Sequence, residues 1–169
     1  MQVQPSVMVH MGGQQLADIM WSLAKMRHRD RGVMAAVLKE ARLKLPSCQP
    51  RALATMLWSL AKVGYRDPAF VSMVLDAATK QLHQFNAQEL SNTVWALATM
   101  GCREPAFVTK LVGAAEPLLP QFKPQALANT VWALATLGQQ EPAFVTKLVG
   151  AAEPLLPQFK PQALANTVW

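Results

Sequence analysis

Leu127-Ala128-Asn129-Thr130-Val131-Trp132-Ala133-Leu134-Ala135 is the stretch that decides the fold. It recurs. The five tryptophans, Trp21, Trp58, Trp95, Trp132 and Trp169, each stand 37 residues after the one before. Leu16, Leu53, Leu90, Leu127 and Leu164 precede them by five places, and Leu23, Leu60, Leu97 and Leu134 follow by two. A fixed period of this size marks a stacked-repeat protein, in which each unit buries its apolar face against its neighbours. The period divides the chain into the tail of a preceding repeat (1–11), four full repeats (12–48, 49–85, 86–122 and 123–159) and the start of a fifth (160–169). Neither end carries a polar closing face, so the array reads as truncated at both ends. Residues 104–132 and 141–169 are identical at all 29 positions, as a recent duplication would leave them.

Each repeat reads as two helices. The first spans 123–137 in the fourth repeat, with Pro124 in its opening turn and Gly138 at its end. Proline is tolerated there because its missing N–H would have no helical partner, and glycine suits the left-handed residue that closes a helix. Gly64 and Gly101 repeat the stop. Asn86-Ala87-Gln88-Glu89 is a capping box, with Phe85 and Leu90 placed as a hydrophobic staple. The second helix opens on an acid followed by proline, at Asp67-Pro68, Glu104-Pro105 and Glu141-Pro142. The acid is expected to accept backbone N–H groups at the positive helix end. Phe70, Val71, Val74, Leu75 and Ala78 then make an apolar face at helical spacing, and Phe107, Val108, Leu111, Val112 and Ala115 match them. Pro117 and Pro154 predict a kink or an early end near Ala115 and Ala152. The fold expected is an all-α, right-handed α-solenoid of two-helix repeats.

On a helical wheel with Asn129 at the origin, Leu127, Val131, Leu134, Ala135 and Ala128 spread from about 140° to about 260°, and Trp132 falls near 300°. The tryptophans are expected to wedge between repeats, with the indole N–H bonded at the rim. The opposite sector is polar: Gln125, Asn129, Ala133 and Thr136. Its counterparts are Gln14, Asp18, Ser22 and Lys25; Arg51, Thr55, Ser59 and Lys62; Gln88, Asn92, Ala96 and Thr99. A constant Leu/Trp frame with a changing polar stripe is what modular ligand reading needs. Gln14, Asp18, Arg51, Thr55, Gln88, Asn92, Gln125, Asn129 and Asn166 are therefore candidates for base contact. The plainer reading of the same stripe is a solvated helix face.

The net charge is +6. It is concentrated: residues 1–66 hold ten Lys and Arg against Asp18, Asp30 and Glu40. Such an imbalance suits a polyanion partner. Its densest part is the turn Lys25-Met26-Arg27-His28-Arg29-Asp30-Arg31, so Lys25, Arg27, Arg29 and Arg31, with Lys62, are candidates for phosphate contact. Cys48 and Cys102 stand alone, without CxxC spacing, and read as reduced thiols. His10, His28 and His83 are isolated, with no metal-ligand spacing. The sequence holds no catalytic set and no glycine-rich phosphate loop. The expectation is a binding protein, not an enzyme, with no cofactor and no small-molecule substrate. No apolar run approaches the ~18 residues of a membrane span, and no targeting peptide precedes the repeats.

The run Pro124-Gln125-Ala126-Leu127-Ala128-Asn129-Thr130-Val131-Trp132-Ala133-Leu134-Ala135-Thr136-Leu137-Gly138 resembles the octotricopeptide repeats of green-algal organelle proteins. It is similar also to the 37-residue repeats of apicomplexan and dinoflagellate proteins that often carry a RAP domain. The resemblance covers nearly the whole chain. It implies a paired-helix solenoid that binds single-stranded RNA in the chloroplast or mitochondrion and acts in transcript stability, processing or translation, as chloroplast translation factors of this kind do. The period here is one residue shorter than the octotricopeptide unit, Asp18 replaces the repeated Asn, and Arg27 replaces the repeated Gly. Sequence-selective binding of single-stranded RNA, at roughly one nucleotide per repeat, is the first functional expectation. An armadillo- or HEAT-like protein-interaction scaffold is the alternative. Short polar and basic side chains in the stripe favour RNA.

Overall fold

The computed structural model of the chain describes residues 8–28, 30–139 and 141–160. Arg29, Asn166 and Trp169 lie outside the described residues, as does nearly all of the expected fifth repeat. Eight complete α-helices are described, and no strands. They are α1 (Gly13–Lys25), α2 (Arg31–Lys44), α3 (Pro50–Val63), α4 (Pro68–Thr79), α5 (Ala87–Met100), α6 (Pro105–Ala115), α7 (Pro124–Leu137) and α8 (Pro142–Ala152). Odd-numbered helices open at residues 13, 50, 87 and 124, and even-numbered ones at 31, 68, 105 and 142, each a constant 37 residues apart. The chain forms two compact units, 1–81 and 82–169. Within each, helix pairs stack in the all-α arrangement of a solenoid.

In the first unit the most extensive packing joins α1 to α3; in the second it joins α5 to α7. These interfaces are made of small residues. Ala126, Ala128, Thr130 and Ala133 on α7 are buried, as are Ser91, Thr93, Ala96 and Ala98 on α5. Short side chains let helix axes approach to roughly 8–10 Å. The contact is close enough for the Ser91 hydroxyl to donate across to the Ala126 carbonyl at 3.0 Å. Each even-numbered helix packs on the odd-numbered helix before it. It contributes the face read from the sequence: Phe70, Val71, Val74, Leu75 and Ala78 on α4, and Phe107, Val108, Leu111, Val112 and Ala115 on α6, all buried.

The stop signals work as expected. Gly64, Gly101 and Gly138 close α3, α5 and α7 at φ 74°, 68° and 69°. Asn86 and Glu89 form the capping box at the start of α5. The α6 and α8 helices end at Ala115 and Ala152 and continue as 3₁₀ turns, Glu116–Gln121 and Glu153–Gln158, because Pro117 and Pro154 cannot extend the ladder. The acidic starts divide by side-chain length. Asp67 accepts from the Phe70 N–H at 2.9 Å and Asp30 from Gly32 and Val33, whereas Glu104 and Glu141 make no cap bond. The expectation that all three Asp/Glu-Pro acids cap is therefore corrected. One more methylene carries the glutamate carboxylate past the N–H groups, and Glu141 accepts from the Thr109 hydroxyl instead.

Identical sequences do not share identical burial. Val112 is 6% exposed, and Val149, its twin one repeat later, is 56%. Leu119 and Leu156 differ likewise, at 7% and 48%. The cause is the company each residue keeps, since α8 packs on the 116–121 turn.

The tightest approach in the first unit is at its start. A Cβ on Gly13 would sit 2.2 Å from the Cys48 sulfur, which is itself buried and donates to the Lys44 carbonyl. Gly13→Ala is expected to destabilise the chain by about 1–2 kcal/mol through overpacking. Combining it with Cys48→Ala should recover part of that loss. Denaturant melts of the two single variants and the double variant check this, and strict additivity would show that the close approach costs nothing.

Candidate nucleic-acid interface

The polar stripe emerges on the structure narrower than the sequence suggested. Ser59, Ala96 and Ala133, expected on the solvent side, are each 0% exposed. Ala135, expected in the apolar arc, is exposed. Its counterparts Ala24, Ala61 and Ala98 are buried, so Ala135 departs from the expected arc by itself, while Ala126, Thr130 and Ala133 widen the buried face of α7. Gln125, Asn129 and Thr136 remain accessible, as do Gln88, Asn92 and Thr99, Arg51, Thr55 and Lys62, and Gln14, Asp18 and Lys25.

The wheel places the tryptophan beside these positions, on the same edge of the helix. Trp58, Trp95 and Trp132 are half-buried, and Trp21 is 45% exposed with the Lys25 ammonium 5.5 Å from its ring centroid. The indoles lie at the rim, where the wheel places them, part sunk and part presented.

Three of the four odd-numbered helices carry the same side-chain bond. Gln14 Nε2 donates to Asp18 Oδ1 at 2.8 Å, Gln88 to Asn92 at 2.8 Å and Gln125 to Asn129 at 2.9 Å. Residues four apart face each other on a helix, so the spacing itself supplies the pairing. An amide–amide bond uses one donor group and one acceptor and leaves one of each facing outward. Gln14–Asp18 leaves acceptors, and Arg51 with Thr55 is rich in donors. The stripe therefore offers a different hydrogen-bonding pattern in the first repeat, the second, and the third and fourth.

Basic groups flank the stripe. Lys25, Arg27, Arg31 and Lys62 are exposed. Arg27 occupies the place of Gly64, Gly101 and Gly138 and takes the left-handed conformation, φ 53°, the one non-glycine residue among the described residues to do so. The backbone closes around it as it does around the glycines, with His28 N–H donating to Leu23 as Tyr65 donates to Leu60. That conformation costs a residue with a Cβ about 1 kcal/mol. Arg31 and Arg66 line a shared recess of about 540 Å3 with Tyr65. In the second unit, Lys123 and Lys160 line a smaller recess of about 280 Å3 that includes Gln125. Arg66, Lys123 and Lys160 were not singled out from the sequence. Arg66 stands 37 residues after Arg29, and Lys160 stands 37 residues after Lys123, so the period carried a signal for both pairs.

Among the described residues, no group of three or more His, Cys, Asp or Glu is placed to hold a metal ion, and no helix is long and apolar enough to cross a membrane. Burial pushes both thiols above their ordinary value, with Glu104 adding to the effect at Cys102.

One family model matches residues 5–162, that of the RNA-editing substrate-binding complex 8 protein. The chain belongs to that family. No curated protein matches it. The family's name joins RNA to membership of a complex, which agrees with the RNA-related part of the octotricopeptide resemblance.

A rim position has an energetic consequence. Trp132→Ala is expected to cost about 1–2 kcal/mol, below the ~3–5 kcal/mol of a fully buried aromatic. Thermal and urea melts of the variant measure it. A loss at the upper figure would mean that the ring acts as a fully buried one.

Proposed function

We propose that each unit binds single-stranded RNA along the exposed edges of its odd-numbered helices, α1 and α3 in one and α5 and α7 in the other, within a mitochondrial RNA-editing substrate-binding complex. The observation that carries this reading is the recurrence, on one edge of each of these helices, of an indole next to polar groups with unspent hydrogen-bonding capacity. Aromatic faces stack on bases of any identity, and amides match base edges. The lysines and arginines of the turns supply attraction for the phosphates. The chain's role is binding, not catalysis. Other proteins of the complex are its further partners. The mitochondrion, one of the two compartments that the resemblance implies, is compatible with this family. In this reading Asp18, Thr55, Asn92 and Asn129, with Gln14, Arg51, Gln88 and Gln125, meet base edges. Lys25, Arg27, Arg31 and Lys62, joined by Arg66, Lys123 and Lys160, meet the backbone.

Arg27 separates this function from a merely solvated surface. Arg27→Gly relieves a strained conformation and should stabilise the fold by about 1 kcal/mol. It also removes a cation. Affinity for single-stranded RNA should fall, and the slope of log K against log salt should flatten by about 0.7, the contribution of one phosphate contact. Thermal melts and fluorescence anisotropy across a salt series read both effects. Stabilisation with unchanged RNA affinity would remove Arg27 from the interface; a parent chain that binds no RNA would sink the proposal.

A further inference from the structure

We infer that the second unit is matched to two identical neighbouring nucleotides. This inference rests on the RNA-binding reading above. The α5 and α7 helices carry the same outward set, Gln88, Asn92, Trp95 and Thr99 against Gln125, Asn129, Trp132 and Thr136. The glutamine–asparagine bonds have the same donor, acceptor and length to within 0.1 Å. Exposure matches position by position: both glutamines and both threonines are exposed, and both asparagines and both tryptophans are half-buried. Ala96 and Ala133 are each fully buried, whereas Val94 and Ala98 on α5 are more deeply buried than Val131 and Ala135 on α7.

Base choice depends on the pattern of donors and acceptors offered to the base edge, and on the surface the base stacks against. Both are duplicated here. Whatever base one of these repeats selects, the other must select also. The α5 and α7 helices are direct packing neighbours in one unit, so the two nucleotides are neighbours along the strand. The first unit has no such pair. Gln14–Asp18 offers acceptors where Arg51 and Thr55 offer mainly donors, so its two repeats select differently.

The test is selection from a random single-stranded RNA pool with the whole chain, then with two swapped variants. One is Gln88→Arg with Asn92→Thr; the other is Gln125→Arg with Asn129→Thr. Each gives its helix the pair that α3 already carries at the same places, so the helix tolerates it; circular dichroism confirms the fold. The parent pool should contain a doubled nucleotide. The first variant should change one member of the doublet and the second variant the other. Each should weaken binding to the parent's best RNA on the order of tenfold. A selected motif without a doublet overturns the inference. So does a pair of variants that alter the same position, or none. RNA binding without any sequence preference also overturns it while leaving the RNA-binding reading in place; absence of RNA binding removes both.

Discussion

Close approach of the odd-numbered helices is the constraint on which the rest depends. Ala, Ser and Thr at the contact bring α5 and α7 near enough for the Ser91 hydroxyl to reach the Ala126 carbonyl. On both helices the tryptophan, Trp95 or Trp132, is half-buried at the rim. The glutamine and asparagine lie beside it. The polar edge is thus set next to the packing contact. Its spacing is set by the interface and not by the residues that compose it. The buried hydroxyls are provided for within the same scheme: Thr130 donates to the Ala126 carbonyl and Thr93 to the Glu89 carbonyl, four residues back in each case.

The architecture was legible because its signals are local. Helix starts, glycine stops, the capping box at Asn86 and the early ends forced by Pro117 and Pro154 all follow from residues within a turn of one another. What the sequence misplaced depends on neighbours distant in the chain. Ala98 and Ala135 hold the same place in successive repeats, yet Ala98 is buried and Ala135 exposed. Val112 and Val149 have identical flanking sequence and opposite exposure for the same reason. The stripe's composition was readable; its width was not. Lengths of side chains caused the other error, since aspartate and glutamate look alike as N-terminal acids until the carboxylate must meet a particular N–H.

Charge and hydrogen bonding are distributed unequally between the two units. The basic turn and the Arg31–Arg66 recess belong to the first, and the duplicated amide pairs to the second. Attraction from the former reaches about one Debye length, roughly 8–10 Å at ordinary salt. Amide contacts act only at hydrogen-bond distance. Long-range charge is therefore concentrated in the first unit, and duplicated short-range amide pairs in the second.

The glutamine–asparagine bonds also bear on the entropy of recognition. A glutamine or asparagine on a bare helix samples several rotamers, and arresting it on a ligand costs about 0.5–1.5 kcal/mol per side chain. In α5 and α7 that freedom has already been surrendered to an intrahelical bond. The amides are held in one orientation before any partner arrives, so these two repeats are preorganised. Arg51 in α3 has no such bond to Thr55 and retains its conformational range. The rigid repeats can be strict about what they accept, while the second repeat can adjust to several shapes at the expense of affinity. Side-chain stiffness, as well as chemistry, therefore differs from repeat to repeat.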